Sequence, residues 1–181
     1  AFKETMKKLG IDMPKSEPAT SVEEAEKIAT DFGYPVVIRP AYTMGGTGGG
    51  IVYNLEELRL IAARGISASL IGQILIEESV IGWEELELEV VRDAKNQMIT
   101  VCFIENVDAM GVHTGDSYCT APMLTISEEL QKRLQKYSYS IVEAIEVIGG
   151  TNVQFAHDPV TDRVVIIEIN PRTSRSSALA S

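Results

Sequence analysis

Three oxygen-bearing side chains near the end of this 181-residue sequence have a spacing that suits a hard cation. In "NVQFA" (152 to 156) Gln154 lies between Val153 and Phe155, and in "RVVIIEIN" (163 to 170) Glu168 and Asn170 alternate with Ile167 and Ile169. Side chains alternate along a strand, so each run separates an apolar from a polar face. A turn centred near residues 160 and 161, within "HDPVTD", brings Gln154 within one residue of lying opposite Glu168, with Asn170 adjacent on the same face. One carboxylate and two amide oxygens, with no histidine or thiol, suit Mg²⁺, which completes its shell with water and substrate phosphates. Phosphoryl transfer needs such a site. The plainer alternative is a solvated outer face, but Glu168 stands inside a run of large aliphatics. Arg172 and Arg175, in "NPRTSR", follow directly and suit an anionic substrate beside the cation.

A second stretch points the same way. "TMGGTGGGIVYN" (43 to 54) places five glycines between Gly45 and Gly50, interrupted by Thr47, directly after the strand-like "YPVVIRP". Glycine lets backbone N–H groups approach a phosphate closely. No Gly-Lys-Ser/Thr follows, and the spacing is not G-x-G-x-x-G, so neither a P-loop nor a dinucleotide fingerprint is present. What remains is a strand-loop-strand flap with Arg39 before it as phosphate partner, or else a simple surface hairpin.

The elements that position these residues are legible from periodicity. Ser21 and Glu24 have capping-box spacing before a helix that Gly33 stops, and Asn54 with Glu57 opens a second helix, 55 to 65, that Gly65 closes. Residues 34 to 40 and "GIVYN" read as strands, as do 73 to 79, 85 to 93 and 97 to 105, the last three forming an antiparallel sheet. A Gly/Asp/Ser-rich loop from Asn106 to Thr120 precedes an amphipathic helix capped by Ser127. The pattern changes near residues 66 to 75, which sets expected lobes of 1–75 and 76–181.

Composition narrows the function classes. Hydrophobic residues at 45% and charged residues at 23% describe a packed protein, not a disordered one. No apolar run approaches the ~20 residues of a membrane span, and the N-terminus lacks a signal pattern, so a cytoplasmic location is expected. Cys102 and Cys119 are too far apart for a CxxC site and read as reduced thiols. A net charge of −10 disfavours nucleic acid.

Taken together, "VVIRPAYTMGGTGGGIVYN", "ESVIGWEELELEVVRD", "ENVDAMGVHTGDS", "NVQFA" and "EINPRTSRSSALAS" resemble the ATP-grasp domain of the carbamoyl phosphate synthetase large subunit, and within it the first, carboxyphosphate-forming half. The resemblance covers essentially the whole chain. It implies an α+β ATP-grasp fold of two lobes with a nucleotide cleft between them, and an ATP-dependent ligase that phosphorylates bicarbonate before ammonia attacks. Carried over by position, Arg39 with the backbone at Gly45 and Gly46 would hold the ATP phosphates. Glu78 and Val80 would meet the adenine, Glu85 the ribose hydroxyls, and Gly111, Val112 and His113 would line the nucleotide site. Gln154, Glu168 and Asn170 would bind Mg²⁺ or Mn²⁺, while Arg172 and Arg175 would position bicarbonate and stabilise carboxyphosphate. Implied partners are a glutaminase small subunit or domain and the remainder of the large subunit.

Taken alone, Glu85 in "WEELELE" reads as a solvated strand residue and His157 as structural, while Met110 and Trp83 either line an adenine pocket or simply pack. The family's domain is preceded by a further α/β segment with another phosphate-binding basic residue, so this chain is expected to be a piece of a longer polypeptide. The rival readings are a biotin-carboxylase-like enzyme of the same superfamily, a nucleotide-binding module without turnover, and a structural interaction domain. The last explains neither the glycines nor the Gln/Glu/Asn trio.

Overall fold

The computed structural model describes residues 2–42, 48–111 and 118–172. The chain divides into two units, Pro14–Ser79 and Ala1–Met13 with Val80–Ser181. The sequence pattern predicts one boundary near residue 75, whereas the first thirteen residues group with Val80–Ser181.

In Pro14–Ser79, strands β1 (Ser16–Ala19), β2 (Val36–Pro40), β3 (Gly50–Val52) and β4 (Ile74–Glu78) form an antiparallel sheet in the order β1-β4-β2-β3. Helices α2 (Val22–Phe32) and α3 (Leu55–Ala68) cover one face. Both start as their caps dictate. Ser21 Oγ accepts the Glu24 N–H at 3.2 Å, and Asn54 Oδ1 accepts that of Glu57 at 2.9 Å. Glu24 and Glu57 in turn accept the backbone N–H groups of Thr20 and Tyr53 at 2.8 Å. Gly33 ends α2 at φ +80°, its N–H bonded to Ala29 O. The core joins Ala25, Ala29, Leu58 and Ala62 of the helices to Val36, Ile38, Val52, Ile74 and Ile76 of the sheet.

Two expectations are corrected here. Gly65 does not close α3 but lies within it, because a Cβ there would stand 2.9 Å from Ile74 Cγ2 and 3.3 Å from Gly48 O. It is a packing glycine. The strand at 73 to 79 does not join the later strands either, since β4 pairs β1 and β2.

In the other unit, β5 (Glu84–Arg92), β6 (Met98–Asn106), β7 (Cys119–Thr120), β8 (Gly149–Asp158) and β9 (Arg163–Asn170) form an antiparallel sheet in the order β7-β6-β5-β8-β9. Helices α1 (Phe2–Leu9) and α4 (Glu128–Ala144) contribute Met6, Leu134, Ile141 and Val142 to a core with Leu86, Leu88, Val90, Val153, Phe155 and Ile166. Ser127 caps α4 as expected, its Oγ accepting the Leu130 N–H. The segment after α1 is fastened to β9: Ile166 N–H donates to Asp12 O at 3.0 Å, and Arg163 Nε meets Asp12 Oδ2 at 2.6 Å. No described helix is long and apolar enough to cross a membrane.

Candidate functional site

The final hairpin sets the site's register. Near its turn Phe155 lies opposite Ile166, but further along Gln154 lies opposite Glu168 and Asn152 opposite Asn170. A bulge between Gln154 and Phe155 absorbs the one-residue difference, so Ile167 is the extra residue. Ile166 and Ile169, not Ile167, therefore turn toward the core, and Glu168 faces the same way as Gln154. That pairing is the one the spacing predicts.

The adjoining strand extends the pattern. Glu87 lies opposite Gln154, and Glu89 opposite Asn152. One face of the sheet thus carries two successive rows across β5, β8 and β9, Glu87–Gln154–Glu168 and Glu89–Asn152–Asn170. Opposed Cα atoms in such ladders are about 5 Å apart, and rows on one face about 7 Å. The register thus puts Gln154, Glu168 and Asn170 on one side of the sheet, Glu168 opposite Gln154 and Asn170 one row further.

The glutamates of β5 depart from the plain sequence reading. Glu85, Glu87 and Glu89 are only 6%, 7% and 2% exposed, so they are not solvated strand residues. Buried carboxylates need donors, and here the donors are amides. Asn152 Nδ2 donates to Glu87 Oε2 at 2.9 Å and to Glu89 Oε1 at 2.8 Å, while Asn106 Nδ2 donates to Glu87 Oε1 at 3.1 Å. Burial, reinforced by the charge of Glu87, raises the Glu85 carboxyl above its ordinary range. Burial, then Glu89 and Glu87, also pushes the Cys102 thiol on the adjacent strand up to about 11. In both cases burial is the larger cause and the neighbouring carboxylates add to it.

Among the described residues no group of three His, Cys, Asp or Glu side chains is disposed to hold a metal. The oxygens on this face are those of one hairpin carboxylate, Glu168, and of the amides Gln154 and Asn170.

Other residues singled out by sequence fall nearby or elsewhere. Val80 O accepts the Trp83 N–H, and the turn they form is laced to Met110 through Gly82 N–H to Met110 O (3.0 Å) and Met110 N–H to Trp83 O (2.8 Å). Gly111 follows at φ +110°, where a Cβ would meet Ile81 at 3.3 Å. The structure therefore brings the Val80 turn and Gly111 together. Trp83 packs under the Arg163 guanidinium, 5.8 Å from the ring centroid. Arg172 is exposed, and its N–H donates to Asn170 O in the turn that leaves β9. His157 is held between Glu84 (2.6 Å) and Asp162 (2.9 Å), a structural clasp on the hairpin.

Within Pro14–Ser79, Glu78 Oε2 accepts the Lys15 N–H at 3.0 Å and Glu78 N–H donates to Lys15 O at 2.8 Å. Arg39 Nε pairs with Glu77 Oε2 at 2.6 Å. Of the glycine loop, Gly48, Gly49 and Gly50 are described; packing explains the first two, where an added Cβ would be 3.0 Å from Ala68 Cβ at Gly48 and 2.6 Å from Ile38 O at Gly49, whereas a Cβ at Gly50 would meet open space. Gly45, Gly46, Val112, His113 and Arg175 lie outside the described residues.

Sequence reasoning missed Glu77, Glu87, Glu89, Asn106 and Asn152. The signal for two of them was present in the period-2 glutamates of "ELELEV", a run that becomes the middle strand of a five-stranded sheet.

The family described as "Carbamoyl-phosphate synthase L chain, ATP binding domain" matches residues 1–181. The carbamoyl phosphate synthase large chain of Archaeoglobus fulgidus is 57% identical over 181 residues, which cover 99% of this chain and 17% of that protein. The Thermotoga maritima large chain is 52% identical, with 99% and 16% covered. The chain thus spans about a sixth of the length of these curated relatives.

Among solved structures, Campylobacter jejuni biotin carboxylase in a β,γ-ATP complex superposes with a TM-score of 0.71 at 21% identity, covering 98% of this chain and 41% of that one. Staphylococcus aureus N5-carboxyaminoimidazole synthetase gives 0.73 at 20% identity, covering 96% and 43%. The biotin carboxylase domain of Hydrogenobacter thermophilus 2-oxoglutarate carboxylase, solved with MgADP and bicarbonate, gives 0.71 at 23%, covering 97% and 40%. At these identities the likeness speaks for the fold, which is the α+β ATP-grasp fold. A match along the whole length, together with relatives more than half identical, means that the chain belongs to the family of carbamoyl-phosphate synthase large-chain ATP-binding domains.

Proposed function

We propose that this chain is the ATP-grasp domain of the first half of a carbamoyl phosphate synthase large chain, and that it uses ATP to phosphorylate bicarbonate to carboxyphosphate. The observation that carries this reading is the face on which Gln154, Glu168 and Asn170 occupy two adjacent rows beside buried carboxylates. Support also comes from the Hydrogenobacter domain, a protein of the same fold solved with both MgADP and bicarbonate.

Each group has a task in this chemistry. Arg39 and the backbone at Gly45 and Gly46 bind the phosphates of ATP. Val80, Gly111, Val112 and His113 line the adenine side with Glu78, and Glu85 accepts from the ribose hydroxyls. Gln154, Glu168 and Asn170 would hold a divalent cation, Mg²⁺ or Mn²⁺, which would offset charge on the transferred phosphoryl group. Arg172 and Arg175 pair with the bicarbonate carboxylate and fix its nucleophilic oxygen in line, a task that planar guanidinium forks suit. Ammonia supplied by a glutaminase partner then consumes carboxyphosphate, and the rest of the large chain completes the synthesis in the cytoplasm.

The decisive measurement is bicarbonate-dependent ATP hydrolysis by the complete protein carrying Glu168→Ala. Loss of at least a hundredfold in kcat is expected, because removing the one carboxylate of the ligand trio strips the cation of its anionic anchor. Unchanged turnover would remove the assignment. Activity that appears only when free biotin is added would move the chain to the biotin carboxylases. Calorimetric MgATP binding without bicarbonate-dependent phosphate release would reduce it to a nucleotide-binding module.

A further inference from the structure

Among the described residues, α2 and α3 pack on one face of the sheet in Pro14–Ser79. By the register of β2, β3 and β4, the other face carries Val37, Arg39, Ile51, Leu75 and Glu77. Arg39 lies opposite Leu75, and Glu77 lies opposite Val37, so the arginine and the glutamate are diagonal neighbours, a separation that a long side chain spans easily. Arg39 Nε meets Glu77 Oε2 at 2.6 Å. The arginine side chain is 70% exposed and the glutamate 24%.

An ion pair with one partner so open adds little to folding stability. Its effect falls on the arginine's freedom. An exposed arginine samples many rotamers, and a ligand that captures it must order all of them. The Nε–carboxylate bond uses one of five N–H donors and orients the guanidinium plane, while the outer fork retains the geometry for phosphate oxygens. We propose that Glu77 is a positioning residue for Arg39, holding the guanidinium ready to receive the phosphates of ATP. This rests on the phosphate role proposed for Arg39. Repulsion between the Glu77 carboxylate and the incoming phosphates opposes the effect, but Arg39 is bonded directly to that carboxylate and neutralises it. Pre-ordering one such side chain corresponds to roughly a two- to tenfold gain in affinity.

The test is a double-mutant cycle in the complete protein, with Glu77→Ala, Arg39→Ala and the double variant, read as KM for ATP and kcat, with thermal unfolding to confirm folding. Glu77→Ala should raise KM for ATP about two- to tenfold with kcat nearly unchanged, and should have no further effect once Arg39 is alanine. Glu77→Gln, whose amide oxygen still accepts from Nε, should stay close to wild type. A KM that is unchanged or lower in Glu77→Ala overturns the proposal, as does a rise of equal size in the Arg39→Ala background, and both outcomes leave the ATP-grasp reading intact. If Arg39→Ala itself leaves KM for ATP unchanged, the phosphate role of Arg39 falls, and the positioning role falls with it.

Discussion

Glu85 shows how a single residue's surroundings differ from what its neighbours in sequence suggest. It sits in an acidic run, yet the fold buries it, and its carboxyl titrates above the ordinary value of 4.5, first because of burial and then because of Glu87. A carboxyl whose folded pKa is raised stabilises the fold below its unfolded pKa, and that contribution is lost as pH rises through the folded value. Replacing it with the neutral isostere removes the penalty. Glu85→Gln should therefore unfold at a higher Tm than wild type at pH 7.5 in the absence of nucleotide, with the gap closing as pH falls toward 4.5. A gap that is constant across this range would mean that the charge of Glu85 costs the fold nothing. The roles carried over from resemblance at this scale are legible only where spacing alone also demands them. Gln154, Glu168 and Asn170 meet that standard through alternation across one hairpin. Asn152, which bonds Glu87 and Glu89, does not, because its partners lie on a strand more than sixty residues away in sequence.

At the scale of elements, caps and periodicity located α2, α3 and α4, and alternation located the long strands. What escaped were features decided by contact between elements. Strand β1, "SEPA", contains a proline and little apolar surface, and its strand character comes from pairing with β4. Helix α1 is amphipathic but only eight residues long and fully buries only Met6, too short a run for periodicity to decide. Gly65 looked like a stop because glycine usually closes a helix, but close approach to Ile74 and Gly48 requires it in the interior. The same contact gives a prediction. Alanine at position 65 gains about 1 kcal/mol of helix propensity, while overpacking against the fully buried Ile74 costs about 1–3 kcal/mol. Gly65→Ala should thus lower Tm by a few degrees. Gly49→Ala should be worse, at about 2 kcal/mol or more, because its Cβ meets the carbonyl of Ile38, which is part of the sheet backbone and cannot rotate away. Equal Tm values for Gly49→Ala and wild type would show that Gly49 is not held by packing.

For the molecule as a whole, the dominant fact is a net charge of −10 on a chain read as a binder of a polyphosphate. Two electrostatic effects compete. The distant acidic groups repel MgATP, and that repulsion acts over a Debye length that shrinks from about 30 Å at 0.01 M salt to about 10 Å at 0.1 M. The close contacts from Arg39 and a shared cation act over a few ångströms and are screened much less. Raising ionic strength should therefore remove repulsion faster than it removes attraction. Stopped-flow association of a fluorescent MgATP analogue with the chain should accelerate from 0.01 to 0.1 M salt, opposite to the slowing seen when a basic surface steers an anion. Chelating the divalent cation should weaken binding at least tenfold, since the free nucleotide brings two further negative charges to an acceptor-lined face. An association rate that falls with salt would mean that a local positive field around the phosphate site outweighs the net charge, and ATP affinity indifferent to chelation would exclude a cation shared between nucleotide and protein.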